Sequence, residues 1–117
     1  MIKRILVADD DPAIVESVKM LLEDEGYDVE TTVNGGTVTD ARVELPDVIL
    51  LDIWMSGQDG RTICQTLKSG ASTKDIPVIM ISANRDAREL ARAAGADDFI
   101  AKPFDADFLL EKIAKFA

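Results

Sequence analysis

Short apolar runs divide the chain, and four of them are continuous rather than alternating. Continuous runs of this length are typical of strands buried on both faces, as in a parallel sheet covered by helices. A further segment, residues 28–33, alternates in polarity and is rich in β-branched residues, which predicts an edge strand. The four continuous runs are residues 5–8, 48–51, 78–81 and 99–101.

Helical signals lie between the apolar runs. Asp11 followed by Pro12 predicts a capped helix with proline in its first turn, and Gly26 predicts its end. Asp86 and Glu89 have the spacing of a capping box. The other predicted helices are residues 61–69 before Gly70, a last helix opened by Asp105, and residues 35–45, whose glycines and β-branched residues have poor helix propensity.

Strand and helix alternate five times along the chain. This order predicts an α/β fold: a doubly wound, five-stranded parallel sheet with right-handed crossovers and helices on both faces. We expect one domain over residues 1–117, because the length suits a single core and no linker or repeat interrupts it.

Composition then removes several kinds of chemistry. The chain has no histidine, one cysteine (Cys64), and 22 acidic against 13 basic residues, for a net charge of −9. It therefore cannot use a histidine base, carry phosphohistidine, form an internal disulfide or build a cysteine-caged metal site. The acidic balance argues against direct binding to nucleic acid. The first apolar run is too short for a signal peptide or a membrane span, so we predict no membrane contact and a cytoplasmic location.

Polar residues follow four of the predicted strands. Asp9 and Asp10 follow the first strand, Asp52 follows the third, Ser82 the fourth and Lys102 the fifth. The carboxyl ends of parallel strands lie along one edge of the sheet, which is where open α/β sheets bind ligands. We therefore expect these five side chains to meet at one place.

Three carboxylates at one place require a compensating charge. Two carboxylates about 5 Å apart repel by roughly 3 kcal/mol at an effective dielectric near 20. Mg²⁺ suits a site of few carboxylates because it keeps part of its water shell, Lys102 adds a second positive charge, and Ser82 offers a hydroxyl to an anionic oxygen. Such a set fits phosphoryl transfer in which a carboxylate is the nucleophile and forms an aspartyl phosphate.

The same residues resemble the receiver domain of two-component response regulators, which includes single-domain chemotaxis regulators. The resemblance covers nearly the whole chain and implies the flavodoxin-like strand order 2-1-3-4-5. No one segment is specific, but five in the right order are. The matching segments are residues 5–11, 50–55, 57–60, 81–83 and 102–104.

This resemblance implies specific roles around Asp52. Asp52 is the expected phosphoacceptor, and a sensor histidine kinase or a phosphotransfer protein is the expected donor. Asp10 and Asp52 are expected to hold Mg²⁺ together with the backbone carbonyl of Trp54. Asp9 is expected to act on the metal through a bound water.

The resemblance also implies a switch. Ser82 is expected to donate a hydrogen bond to the phosphoryl group, and Lys102 to pair with it. Phe99 stands at the position of the switch aromatic, which would swing inward as Ser82 moves, although an aromatic at a strand start is also a common core residue. The Lys102–Pro103 peptide is expected to be cis, which costs little only before proline.

Two positions depart from the family pattern. Ser56 stands where the family often has proline, so the loop after Asp52 is expected to be less rigid. Trp54 is a bulky residue beside the expected phosphate, as either an exposed loop aromatic or a wall of the site. We hypothesise that Trp54, with Asn84 two residues past Ser82, limits the access of water and so sets the lifetime of the phosphoryl group.

Three function classes follow from these residues. The leading one is a phosphorylation-controlled switch, with an unknown downstream protein or an effector domain as its target. The others are a receiver-like adaptor that takes no phosphate and a Mg²⁺-dependent phosphatase, which usually needs a second acid where this chain has Trp54. The chain is either a complete regulator or part of a longer one, and either a monomer or a phosphorylation-dependent homodimer. The residues that could supply charges to a dimer interface are Arg88, Arg92, Asp97 and Asp98.

Overall fold

The computed structural model describes residues 2–34, 38, 45–55 and 58–117, with the side chain of Arg85 excepted. Most of the helix predicted over residues 35–45 lies outside the described residues, and so does the loop position Ser56.

Five parallel strands form the central sheet, and their order is β2-β1-β3-β4-β5. This confirms the predicted doubly wound sheet, with the alternating second strand at one edge. A two-residue antiparallel hairpin, Trp54–Met55 with Gln58–Asp59, follows the third strand. The strands of the sheet are β1 (Arg4–Ala8), β2 (Asp28–Thr32), β3 (Val48–Asp52), β4 (Val78–Ser82) and β5 (Asp98–Ala101).

Four α-helices are present in the part of the chain that the structure describes, and a 3₁₀ turn at Arg85–Ala87 leads into the third. None of them is long and apolar enough to cross a membrane. The helices are α1 (Pro12–Asp24), α2 (Gly60–Ser69), α3 (Arg88–Ala93) and α4 (Ala106–Phe116).

Side-chain caps begin most of these helices, as the sequence predicts. The carboxylates of Asp11 and Asp105 accept backbone hydrogen bonds at the starts of α1 and α4. The capping box predicted at Asp86 is wrong. Instead, Asn84 Oδ1 accepts from the Asp86 N–H at 2.9 Å, so the helical turn starts two residues earlier as 3₁₀, and α3 begins without a side-chain cap.

Both faces of the sheet are covered, which explains the continuous apolar strands. One cluster packs alternate residues of β1, β3 and β4 against α2 and α3, while the other packs the intervening residues against α1 and α4. Cys64 lies in the first cluster as a buried small side chain. Burying a Leu or Ile side chain contributes about 1.5–3 kcal/mol, so these two layers hold the strand ends in register.

Candidate functional site

The carboxyl edge of the sheet brings the predicted polar residues together. Asp52 and Ser82 are the last residues of β3 and β4, and Asp9 and Lys102 come directly after β1 and β5. Backbone hydrogen bonds continue the sheet past the strand ends: the Lys102 N–H donates to the Ser82 carbonyl at 2.8 Å, and the Ile53 N–H to the Ile81 carbonyl at 3.0 Å. The geometry of the site is therefore set by the sheet.

Three carboxylates form the centre of the site. Each of Asp9, Asp10 and Asp52 offers an oxygen, and these oxygens lie within 4.8 Å of one another. Asp9 is fully buried and Asp52 is 5% exposed. Asp9 Oδ1 accepts a hydrogen bond from the Asp11 N–H at 3.0 Å, but the buried Asp9 Oδ2 accepts no well-directed hydrogen bond from any described residue. A cluster of three carboxylates, which carries more negative charge than Lys102 alone can balance, fits a small divalent cation such as Mg²⁺.

Lys102 is the cation closest to this cluster among the described residues. Its Nζ lies 2.7 Å from Asp9 Oδ2 and 3.8 Å from Asp52 Oδ2. The Lys102–Pro103 peptide is cis, as the sequence predicts. The lysine therefore stands between two carboxylates that belong to neighbouring strands.

The carboxyl group of Asp52 has a pKa raised from 3.8 to about 6. Burial is the main cause, and the negative charge of Asp9 adds to it. Lys102 and the Trp54 N–H, which is 3.4 Å from Asp52 Oδ1, oppose the rise without cancelling it. Asp52 is thus mostly ionised at neutral pH but poorly stabilised as an anion. Any added positive charge nearby would therefore stabilise its carboxylate.

The hydroxyl expected at the site is buried there. Ser82 is 2% exposed, and its Oγ accepts a hydrogen bond from the Asn84 N–H at 3.1 Å. The Asn84 side chain is exposed and caps the following 3₁₀ turn. Among the residues that the structure describes, Ser82 Oγ accepts this one hydrogen bond, so the proton of the hydroxyl is available to an anionic oxygen.

The two aromatic candidates lie in different environments. Phe99 is buried, with the Arg88 guanidinium 5.3 Å from its ring centroid, so it packs as a core residue in this conformation. Trp54 is 50% exposed, and the Arg61 guanidinium lies 4.9 Å from its ring centroid. Sequence reasoning missed Arg61 and its partner Asp59, because only the hairpin that pairs Trp54 with Asp59 places all three together. Their one sequence signal is an acidic N-cap two residues before an arginine.

A parallel sheet that gathers buried carboxylates, a hydroxyl and a lysine at its carboxyl edge defines a receiver-type α/β domain. Residues 5–114 match the sequence profile of the response regulator receiver domain. The chain therefore belongs to the response regulator receiver domain family of two-component systems.

Relatives agree with this assignment. The chain is 42% identical over 113 residues to the DNA-binding dual master transcriptional regulator RpaA of Synechocystis, and 41% identical over 116 residues to the response regulator PleD of Caulobacter vibrioides. These alignments cover 94% and 97% of this chain but only 47% of RpaA and 26% of PleD. The chain thus spans about half, or less, of the length of these curated relatives.

A solved structure bears on the metal. The response regulator TrrA of Thermotoga maritima, in complex with Mg²⁺ and beryllium fluoride, matches with a TM-score of 0.88 and 35% identity. The match covers 99% of this chain and 100% of TrrA. A homologous receiver therefore binds Mg²⁺, and the carboxylates of this chain form a cluster that could hold it.

Proposed function

We propose that the chain is a phosphorylation-activated switch in which Asp52 accepts a phosphoryl group from a sensor histidine kinase or a phosphotransfer protein. The observation that carries this proposal is the cluster of three carboxylates, two of them buried, that lies beside Lys102 at the carboxyl edge of the sheet. Three carboxylates beside a single lysine keep an excess of negative charge that opposes folding, so a binding or chemical role accounts for the cluster better than a structural one.

The chemistry assigns the nucleophile to Asp52. A carboxylate oxygen of Asp52 forms a bond to phosphorus, the bond from phosphorus to the donor's imidazole nitrogen breaks, and its electron pair stays on that nitrogen. Asp10, Asp52 and the backbone carbonyl of Trp54 would hold Mg²⁺, with Asp9 acting through water. The metal would supply positive charge that neutralises the phosphoryl oxygens.

Two residues would bind the phosphorylated state. Lys102 lies 3.8 Å from Asp52 Oδ2, so its ammonium can pair with a phosphoryl group on that carboxylate. Ser82 would donate its hydroxyl proton to a phosphoryl oxygen. Movement of Ser82 and Phe99 would then reshape the face formed by α3, β5 and α4, which is the surface that would meet a downstream partner or a second copy of the chain.

The remaining assignments belong to the same proposal. The domain occupies residues 1–117, works in the cytoplasm, and does no chemistry beyond its own phosphorylation and dephosphorylation. Trp54 and Asn84 would modulate the lifetime of the aspartyl phosphate. The charge of −9 supports a protein partner rather than direct contact of this domain with nucleic acid.

The test is incubation with acetyl phosphate and Mg²⁺, followed by intact mass measurement and hydroxylamine treatment, which cleaves acyl phosphates. The switch predicts one hydroxylamine-sensitive phosphoryl group per chain, its loss in Asp52→Asn, and no label when EDTA replaces Mg²⁺. Absence of label in the unsubstituted protein would favour the adaptor. Continued release of phosphate over many turnovers would favour the phosphatase.

A further inference from the structure

Three side chains lie together at the hairpin after β3 and the start of α2, and none of them takes part in the proposed transfer of the phosphoryl group. Trp54 pairs with Asp59 across the hairpin. Arg61 Nε lies 3.0 Å from both carboxylate oxygens of Asp59, and Arg61 Nη2 lies 2.6 Å from Asp59 Oδ2. The same guanidinium lies 4.9 Å from the Trp54 ring centroid. We call Trp54, Asp59 and Arg61 the indole clamp.

The indole clamp is attached directly to the backbone of the phosphoacceptor. Gly60, between Asp59 and Arg61, donates its N–H to the Ile53 carbonyl at 2.6 Å. A Cβ at Gly60 would overlap the carbonyl oxygen of Asp52, so only glycine allows this approach. The Trp54 N–H also lies 3.4 Å from Asp52 Oδ1. The clamp and the reactive carboxylate therefore belong to one tightly packed piece of backbone.

The carboxylate of Asp59 holds the guanidinium of Arg61 in one place. The hydrogen bond from the Arg61 side chain lowers the pKa of Asp59, so the pair stays ionised near neutral pH. Asp59 Oδ1 also caps α2 by accepting from the Arg61 N–H at 2.9 Å, which holds the carboxylate in place. A planar guanidinium bound on its edge by a carboxylate can still stack its face on an aromatic ring, which a lysine ammonium cannot do.

A half-exposed indole without such support would sample several rotamers. In this chain the Trp54 ring lies under a guanidinium that is itself held by a carboxylate, and the backbone N–H of Trp54 lies 3.4 Å from Asp52 Oδ1. The ring thus has one favoured position, on the residue whose backbone contacts Asp52.

We propose that Arg61, held by Asp59, is a positioning residue that keeps the Trp54 indole at the rim of the Asp52 site and so limits the entry of water to the aspartyl phosphate. This inference rests on the proposed phosphorylation of Asp52. It assigns to Arg61 no contact with the phosphoryl group, since Arg61 acts through the indole alone.

The experiment measures the dephosphorylation rate after removal of acetyl phosphate, in variants of the 117-residue chain. Arg61→Ala is expected to shorten the phosphoryl lifetime by about two- to fivefold, the range that a cation–π contact at an exposed site can contribute to ring placement. Asp59→Asn should act in the same direction while preserving the cap of α2, because asparagine is as good an N-cap as aspartate. The phosphoryl lifetime of Arg61→Lys should also be shorter than that of the parent protein. Arg4→Ala, which removes an arginine 2.9 Å from Asp28 at the start of β1, the end of the strand away from the site, is the matched control and should leave the lifetime unchanged.

A double-mutant cycle separates positioning from a general structural effect. Trp54→Ala alone should shorten the lifetime, and Arg61→Ala should cause no further change when Trp54 is already alanine. Because Trp54 is the chain's single tryptophan, acrylamide quenching of its fluorescence reports the ring directly. Quenching should increase in Arg61→Ala and Asp59→Asn but not in Arg4→Ala, and urea unfolding confirms that each variant is folded.

The outcomes distinguish the two proposals. Three results would contradict the proposed role of Arg61 while leaving the phosphorylation of Asp52 unaffected. They are a lifetime in Arg61→Ala equal to that of the parent protein, a lifetime in Arg61→Lys equal to that of the parent protein, or an equal shortening of the lifetime by Arg61→Ala whether or not Trp54 is present. An unsubstituted protein that takes up no phosphate would overturn the proposed function, and with it this inference.

Discussion

Removing the charge of Asp52 should make the folded protein more stable. Asp52 is buried, and its carboxylate lies within 4.8 Å of oxygens from Asp9 and Asp10. Burial and the charge of Asp9 raise the pKa of Asp52 from 3.8 to about 6, so the folded state opposes ionisation of this group. Asparagine has nearly the same shape and cannot ionise, which relieves that cost in Asp52→Asn.

The magnitude follows from the shift in pKa. One pKa unit corresponds to about 1.4 kcal/mol, so a rise of about two units amounts to about 3 kcal/mol, with the attraction of Lys102 already included. Asparagine replaces the protonated carboxyl group only approximately, because its amide nitrogen cannot accept a hydrogen bond, so part of this gain is lost. We therefore expect Asp52→Asn to raise the free energy of unfolding by about 1–3 kcal/mol at pH 7.5 without divalent cations.

The effect should depend on pH with a definite sign. The folded-state pKa of Asp52 lies above the unfolded value, so the folded protein holds more protons between about pH 4 and pH 6. The stability of the unsubstituted protein therefore falls as pH rises through this window. The advantage of Asp52→Asn should be absent below about pH 4 and complete above about pH 7.

Urea unfolding followed by far-UV circular dichroism, at several pH values in EDTA, measures this difference. Asp11→Asn is the matched control: Asp11 is exposed and caps α1, and asparagine caps equally well, so its effect should stay within about 0.5 kcal/mol. Added Mg²⁺ should stabilise the unsubstituted protein more than Asp52→Asn, because binding to the folded state adds stability. The reasoning would be refuted if Asp52→Asn were no more stable than the unsubstituted protein at pH 7.5. It would also be refuted if the difference in their free energies of unfolding did not change with pH.

Three further predictions concern other parts of the fold. Burial raises the pKa of the Cys64 thiol to about 11, so iodoacetamide at pH 8 should modify the folded protein at least about 100-fold more slowly than the urea-unfolded chain, as intact mass would show. Burial raises the pKa of Asp98, but the hydrogen bond from Lys112 at 2.9 Å and other contacts lower it overall. Lys112→Ala should therefore lower the free energy of unfolding by about 0.5–1 kcal/mol in urea at pH 7. This loss should shrink as the pH falls below 3.8, because Asp98 then becomes protonated. Gly60→Ala should destabilise the fold by about 2–3 kcal/mol, since the new methyl group meets backbone rather than a flexible side chain. Unchanged stability in urea unfolding would mean that the hairpin can move away from the methyl group without loss of stability.

Much of the fold follows from local pattern in the sequence. Strands buried on both faces need continuous apolar runs, so the central strands were predictable to within about one residue, as were the caps at Asp11 and Asp105. The gathering of Asp9, Asp52, Ser82 and Lys102 also follows, because parallel strands end at the same edge of a sheet.

The cap at Asn84 was not predictable in the same way. A short polar side chain two residues ahead competes with Asp86 for the start of the turn, and the outcome depends on how the chain leaves β4. Sequence spacing allows either residue to be the cap.

The identity of the chemical groups, and the strand end that carries each of them, can be read from the order of the residues. Their energies and partners come from the folded structure: Lys102 lies nearer to Asp9 than to Asp52, burial raises the pKa of Asp52, and Arg61 lies over Trp54. A strand ends where the local sequence changes from apolar to polar, so its end can be recognised from neighbouring residues. Desolvation, the separation of charges and contacts with a ring depend instead on distances between side chains that are remote in the chain or joined through a turn.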